Sequence, residues 1–376
     1  MDLMDPDSGS KGETEVSEDR KYMILTINPG STSTKIAVFE NEKELFNETL
    51  RHSAKELDVF DSIADQWDFR RGLVLDALRE HGMEADEMDA FCCRGGLIRP
   101  LPSGTYRVNE AMLRDCREGY LGHHASNLGA LIGHQLEEET SVPAFVVDPP
   151  PVDEMSVSAH YSGHPLIRRT SLFHALNQKA VARRYAAEAG CSYEDLNLVV
   201  CHMGGGVSVG AHIRGKVLDT ENAFGGEGPF SPGRAGSMPV NEIVKLCFSG
   251  EYDQEKIMDM MTREGGMYAY AGTTSVRDLT ERASEGDEEV RQMLDAFCYQ
   301  VSKEIAAMSV AAPGEIDQII LTGGIAYSAP ITAKLREQVE WIAPVTSYPG
   351  EDEMLSLAQG ALRVLTGAEE AKEYRP

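Results

Sequence analysis

Residues able to grip phosphate gather in three short stretches of this chain. In the longest, Leu198 to Pro239, an apolar run passes through His202 to Gly204, Gly205 and Gly206, and VSVGAHI then alternates up to the Arg214-Gly215 turn. That pattern reads as strand, glycine turn, strand. Three successive glycines weaken a strand, but they let backbone approach a ligand closely, and consecutive N–H groups in such a turn form a concavity for anionic oxygens. A plain hairpin with a loose tip fits the same residues. Asn28 to Lys35 (NPGSTSTK) repeats the idea between the apolar runs Met23–Ile27 and Ile36–Phe39, with the hydroxyls of Ser31 and Ser33 in the turn. In the third stretch, Ile316 to Ser328, a buried-type strand runs into Gly323-Gly324 and then a helix-like segment, which leaves room for a flat ring or a phosphate near the helix start. Two phosphate turns and a late glycine pair point to a nucleotide held between two halves.

Charged side chains stand at the ends of other predicted elements. A strand at Asp89 to Cys93 delivers Arg94-Gly95-Gly96, where the guanidinium is free to fork onto a carboxylate or phosphate, or to enter a surface ion pair. A strand at Ala144 to Val147 ends on Asp148 before three prolines, which puts a carboxylate at the ligand-binding edge of a sheet or in an Asx-type turn. Arg168, Arg169, Phe173 and His174 gather just before the helix that begins at Ala175. His123 and His124 have no carboxylate or cysteine at ligand spacing, so they read as structural. Glu351, Asp352 and Glu353 lie at a helix amino end, where acids also favour the dipole.

The elements that must position these groups have room to form. At 376 residues the chain can build two well-buried cores. The helix at Ser62 to His81 and the stripe Val290, Met293, Leu294, Phe297, Val301, Ile305 and Met308 read as core-facing helices. A net charge of −26 argues against nucleic acid or anionic membrane as partner. Seven cysteines without CxxC spacing point to reduced thiols and a cytoplasmic protein. No apolar run reaches the ~18 residues that cross a bilayer. Residues 1–20 are acidic and read as a disordered tail.

NPGSTSTK, the RGG at Arg94, the FH at Phe173, CHMGGGVSVG, GGEGPFSPGRAGSMP and LTGGIAYS together resemble the acetate and butyrate kinase (acetokinase) family, on its butyrate kinase branch. The similarity runs from about Met23 to Leu365. It implies an α/β fold with a duplicated two-domain βββαβαβα core, shared with sugar kinases, actin and heat-shock ATPases, and an interdomain cleft. The halves would be 21–170, with phosphate turn 28–35, and 171–376, with phosphate turn 202–210 and adenosine motif 321–328, the last helix crossing back. The implied reaction is in-line phosphoryl transfer from ATP, with Mg²⁺, to butanoate or another short acid. A chaperone-like or filament-forming ATPase is a remote alternative, since no peptide-binding domain follows the adenosine motif.

The resemblance also implies roles. Asn28, Ser31, Ser33 and Lys35 would form the first phosphate turn, and His202 with Gly204, Gly205 and Gly206 the second. Gly323, Gly324 and Ile325 would flank the adenosine. Arg234, His174, Arg94 and Asp148 would be catalytic, and Asn28, Asp148 and Glu353 would stand on the metal side. Phe173 and Gly225 would shape the acyl pocket. Acetate kinases carry a proline nine residues before the arginine matching Arg234, and Gly225 there implies a larger pocket; Gly225→Pro should then favour acetate. Each extra CH₂ contributes only about 0.8 kcal/mol, so overlap with other short acids follows. Family members are homo-oligomers, so a dimer or larger assembly is implied.

Overall fold

The computed structural model describes residues 20–375, so the tail expected over 1–20 lies outside the described residues but for Arg20. The first half opens with three antiparallel strands, β1 (Met23–Pro29), β2 (Ser33–Glu40) and β3 (Lys43–Arg51). Helix α1 (Trp67–Glu80) leads to β4 (Ala90–Arg94), parallel to β1. Strand β5 (Thr105–Arg107), helix α2 (Leu128–Thr140) and β6 (Ala144–Val147), parallel to β4, follow. Helix α3 (Ala175–Ala189) leads into the second half.

There the same order recurs. Strands β7 (Asn197–Met203), β8 (Val207–Ile213) and β9 (Lys216–Thr220) are antiparallel, and helix α4 (Glu288–Met308) leads to β10 (Gln318–Gly323), parallel to β7. Helix α5 (Ala329–Val339) then precedes β11 (Val345–Pro349), parallel to β10. Helix α6 (Glu353–Leu365) and β12 (Lys372–Glu373) close the chain. The sheets run β12-β5-β6-β4-β1-β2-β3 and β9-β8-β7-β10-β11, so β6-β4-β1-β2-β3 of the first match β11-β10-β7-β8-β9 of the second.

The alternation of β1 explains how its turn is held. Leu25 and Ile27 face a core shared with Leu78, Leu128 and Ile132, while Ile24 faces a second core with Leu357, Ala358 and Ala361 of α6. A strand buried on both faces has little freedom to slip, because a one-residue shift would exchange the two faces. Helix α6 therefore packs on the first sheet although it follows the second, and this fixes Glu353 over the first half. Burying one such leucine fully contributes about 1.5–3 kcal/mol. The predicted stripe on α4 is buried throughout and packs on β7 and β8.

Small residues on α2 set the position of Arg94. A Cβ at Gly129 would lie 2.3 Å from the Arg94 carbonyl oxygen, and one at Gly133 would lie 2.7 Å from Cys93 Sγ. Only glycine lets the helix press so closely on the strand that carries the arginine. All seven cysteines are free, and no helix among the described residues is long and apolar enough to cross a membrane.

Candidate active site

The first turn, at the end of β1, is tied down from behind. The Gly30 amide donates to the Ser33 carbonyl at 2.7 Å, and the His52 amide donates to the Thr32 carbonyl at 2.9 Å. Arg70 of α1 donates to the carbonyls of Gly30 (2.6 Å), Ser31 (3.1 Å) and Ser33 (3.1 Å). Ser31 and Lys35 are exposed and Ser33 is half-buried. Asn28 Nδ2 donates to Glu353 Oε2 at 2.6 Å, and Arg94 Nη1 lies 3.1 Å from Glu353 Oε1. The structure thus brings Asn28, Arg94 and Glu353 together.

The second turn joins β7 to β8. Gly204 donates to the Gly206 carbonyl at 2.8 Å, and Ser231 Oγ donates to the Gly205 carbonyl at 3.0 Å. A Cβ at Gly206 would lie 2.3 Å from Arg234 Nη1 and 3.4 Å from His174 Cε1. Arg234 donates to the Ala223 carbonyl at 2.9 Å and lies over the Phe224 ring at 4.4 Å, with no carboxylate partner among the described residues. The rings of His174 and His202 stack at 3.8 Å and 10°.

Hydrogen-bond bookkeeping fixes the tautomers of both histidines. Gln178 Nε2 donates to the Ser208 carbonyl (3.0 Å) and Oγ (2.8 Å), so Gln178 Oε1 must accept from His212 Nε2 (3.0 Å), and His212 Nδ1 accepts from the Tyr193 hydroxyl (2.7 Å). Ser208 Oγ also accepts from the His174 amide at 3.4 Å, so both its acceptor sites are taken, its hydrogen goes to His174 Nδ1 at 2.8 Å, and the His174 proton is left on Nε2. Asn177 Nδ2 donates to the Glu351 carbonyl (3.0 Å), so its Oδ1 accepts from His202 Nδ1 (2.7 Å).

Burial, then the neighbouring His202, Arg234 and Arg94, push the His174 pKa far down. Burial with Arg94 and Arg234 pushes that of His202 down to about 3. Both rings are neutral near pH 7, so the 3.6 Å approach of His202 Nε2 to Glu351 Oε1 is not an ion pair. Burial and the charge of Glu353 raise the Glu351 carboxyl, against Arg94 and Lys35.

A cavity of about 1140 Å³ opens beside the second turn. Gly204, Gly205, Gly324, Ile325 and Glu351 line it, together with the segment Thr274–Arg277. Gly323 lies beneath: its φ is +87° and a Cβ would meet the Met203 carbonyl oxygen at 2.4 Å.

Three predicted residues are placed elsewhere. Asp148 is buried, with Oδ1 accepting from Ser103 Oγ (2.6 Å) and the Gly104 amide (2.8 Å) and Oδ2 paired with Arg183 (3.2 Å). Burial raises its carboxyl, but Arg183, Lys179 and Ser103 outweigh this and hold it below the usual range. Neither oxygen bonds Asn28 or Glu353, and in the turn that follows Pro149 packs on Gly95 and the Pro150 carbonyl accepts from the Phe173 amide. Phe173 is buried with Val152, Ala175 and Val217 and is not among the residues that line the cavity beside the second turn. Gly225 is exposed, and its amide donates to Asn222 Oδ1 at 2.7 Å. A proline there would lose that bond, and the aromatic wall beside Arg234 is its neighbour Phe224.

Arg70, Asn177, Gln178, Ser208, Phe224 and Arg277 stand at the two turns and the cavity with no motif of their own in the sequence. The segment at Arg277 carried a signal, because Ser275 three residues before Asp278 is a helix-start pattern, and Ser275 does accept from the Asp278 amide.

Two sheets of matching strand order, each with a turn at the carboxyl end of its first strand, form a duplicated actin-like ATPase fold. Solved structures share it. A propionate kinase from Francisella tularensis matches with a TM-score of 0.74 at 18% identity, over 90% of this chain and 98% of that one. An acetate kinase from Porphyromonas gingivalis matches with a TM-score of 0.73 at 17% identity, over 92% and 100%. Residues 147–343 match the acetokinase family model. Butyrate kinase 2 of Clostridium acetobutylicum is 52% identical over 94% of this chain and all of its own length, and a probable butyrate kinase of Clostridium botulinum is 51% identical over 94% and 99%. The chain belongs to the acetokinase family.

Proposed function

We propose that this chain is a short-chain fatty acid kinase that transfers the γ-phosphoryl group of ATP to butanoate, giving ADP and butanoyl phosphate. The observation that carries this reading is the cluster at Gly206: one guanidinium without a carboxylate partner and two neutral imidazoles, beside a nucleotide-sized cavity. Identity to butyrate kinases across nearly the whole chain supports the acid chosen.

The acceptor carboxylate, with a pKa of about 4 to 5, is ionised at neutral pH, so no general base is required. The protein's work is to position the two reactants and to offset negative charge on the moving group. Arg234 supplies charge, and His174 supplies a neutral N–H from Nε2. Phe224, with its ring 4.4 Å from the Arg234 guanidinium carbon, keeps that guanidinium facing the site and walls the acyl chain. Gly204–Gly206 and the turn at Ser31, Ser33 and Lys35 take the phosphates, and Gly324, Ile325 and Arg277 take the adenosine.

Asn28 and Glu353 offer an amide oxygen and a carboxylate, and no cluster of three acidic, histidine or cysteine ligands exists among the described residues. That set suits a magnesium ion held chiefly by phosphate oxygens and water, with Glu353 on its outer side. When bound, such an ion neutralises charge on the phosphate oxygens. Seven free cysteines fit a reducing cytoplasm, and the exposed Val240, Val244 and Phe248 fit burial in a homo-oligomer, which sedimentation would count.

A hydroxamate assay for acyl phosphate across acids of two to six carbons tests the reading. Butanoate should give the highest kcat/KM, with overlap to propanoate and pentanoate. Absence of acyl phosphate with every acid removes the kinase, and an optimum at acetate removes the butanoate assignment.

A further inference from the structure

Arg70 is fully buried, and no carboxylate pairs with it among the described residues. A buried cation is costly unless its donors are satisfied and its charge is met. The donors are satisfied by neutral groups: the carbonyls of Gly30, Ser31 and Ser33, the Thr34 hydroxyl at 3.3 Å, and Gln66 Oε1 at 2.7 Å from Nη2 and 3.2 Å from Nε. The charge is met by none of them. Other arginines on the same helix differ, since Arg71 pairs with Asp68 and Glu139, and Arg79 with Asp76.

The pattern of the carbonyls is informative. With the His52 amide on the Thr32 carbonyl, four successive carbonyl oxygens, Gly30 to Ser33, are bonded from one side of the turn. Three of the four are held by one guanidinium. The negative ends of the Gly30, Ser31 and Ser33 carbonyls therefore point at Arg70, while Ser31 and Thr32 themselves are exposed. His52 adds no charge: its Nε2 lies 2.9 Å from Thr34 Oγ1, and burial with the neighbouring Arg70 keeps its pKa down at about 4.

We infer that Arg70 is a positioning residue for the bound triphosphate: it holds the carbonyls of Gly30, Ser31 and Ser33 turned towards itself and lends its unpaired positive charge, through the turn, to the anionic tail. The inference rests on the reading of Asn28–Lys35 as a nucleotide-phosphate turn, and it adds a residue that touches no substrate. A cation behind a neutral turn is screened far less than one in water, so its field reaches the ligand side.

Isothermal titration of the full chain with MgATP and, separately, with adenosine tests it. In Arg70→Met, MgATP affinity should fall by on the order of tenfold to a hundredfold, the scale of a lost hydrogen-bonded charge, while adenosine affinity stays that of the native chain. Arg70→Lys keeps the cation but cannot span three carbonyls, so it should lose several-fold in MgATP affinity with adenosine again unchanged; it decides the matter should the methionine variant not fold. MgATP affinity unchanged in a folded variant, or adenosine weakened as much as MgATP, overturns the inference. A native chain that binds MgATP more tightly than adenosine yet forms no acyl phosphate would end the kinase reading and leave this comparison standing.

Discussion

The turn at Asn28–Lys35 is built from hydroxyls in front of a buried cation, whereas the turn at Gly204–Gly206 is built from missing side chains in front of a cation that stands in the cleft. Behind the first, Arg70 is held by three backbone carbonyls and the Thr34 hydroxyl of the turn. Beside the second, Arg234 comes so close that a single methyl on Gly206 would collide with it. A charge behind a loop can favour a bound anion at all stages of reaction, while one that touches the moving group can favour the transition state alone. The first turn should therefore govern affinity and the second turnover.

The largest effects test that division at the second turn. Arg234→Ala should lower kcat by about a hundredfold to a thousandfold, the range for removing a donor from developing charge, with MgATP affinity changed only a few-fold. Gly206→Ala should approach the same loss by displacing the guanidinium. Equal losses in kcat and in MgATP affinity would break the contrast between the turns.

Acid should separate the halves next. Three buried histidines with depressed pKa values, His174, His202 and His212, lie at the second turn or behind it, against the buried His52 at the first and the more exposed His124 elsewhere in that half, both also lowered. A depressed pKa means that the unfolded chain binds more protons below pH 6.5, so stability present above that pH is lost as pH falls. Each histidine contributes up to about 1.4 kcal/mol per pH unit. Burial raises the Glu221 and Glu304 carboxyls and offsets part of this, because those groups take up protons in the folded chain first. Between pH 7 and 5.5 the melting temperature should drop, and amide exchange should rise in β7 and β8 before it rises in β1 and β2. Opening of the first half before the second would contradict the assignment, as would a histidine-like step in kcat between pH 6 and 8.

The strands and glycines of both turns are legible in the sequence because their signals are local: an apolar run, a break, another run. Arg94 is legible for the same reason, as a charge at a strand end beside glycines. The supports are not. Arg70 and Arg71 are adjacent arginines on one helix, and only the packing of α1 behind β1 makes the first a buried anchor and the second a surface ion pair. Ser208 reads as one polar position in an alternating strand, and its role appears only when α3 brings Gln178 to it. Asp148 stands at the strand end where its type and place suggest a ligand, but Ser103, Gly104 and Arg183, remote in sequence, claim both of its oxygens.

A tenfold effect is expected one step away from the reacting atoms. Ser208→Ala removes the hydroxyl that donates to His174 Nδ1, so the ring is free to carry its proton on either nitrogen. Turnover should fall about tenfold, the scale of one hydrogen bond to a buried group, with KM for both substrates held. Tyr193→Phe, further along the same chain of bonds, should cost less. A larger loss at Tyr193 than at Ser208, or a rise in KM without loss of kcat, would show that the chain of bonds supports folding and not the tautomer.

The smallest effect distinguishes hydroxyl from charge at the first turn. Thr34 Oγ1 lies between Arg70 Nη1 at 3.3 Å and His52 Nε2 at 2.9 Å, facing backwards from the cleft. Thr34→Val keeps the shape and removes one long bond to the guanidinium, leaving its three carbonyl bonds in place. Stability should drop by about 1 kcal/mol, because His52 Nε2 then lacks a partner as Nδ1 already does. MgATP affinity, read by the same titration, should fall no more than about threefold, since the remaining bonds still orient the turn. A loss in Thr34→Val as large as in Arg70→Met would mean that the hydroxyl network, not the guanidinium, shapes the first turn, and the contrast with the second would have to be redrawn around His52.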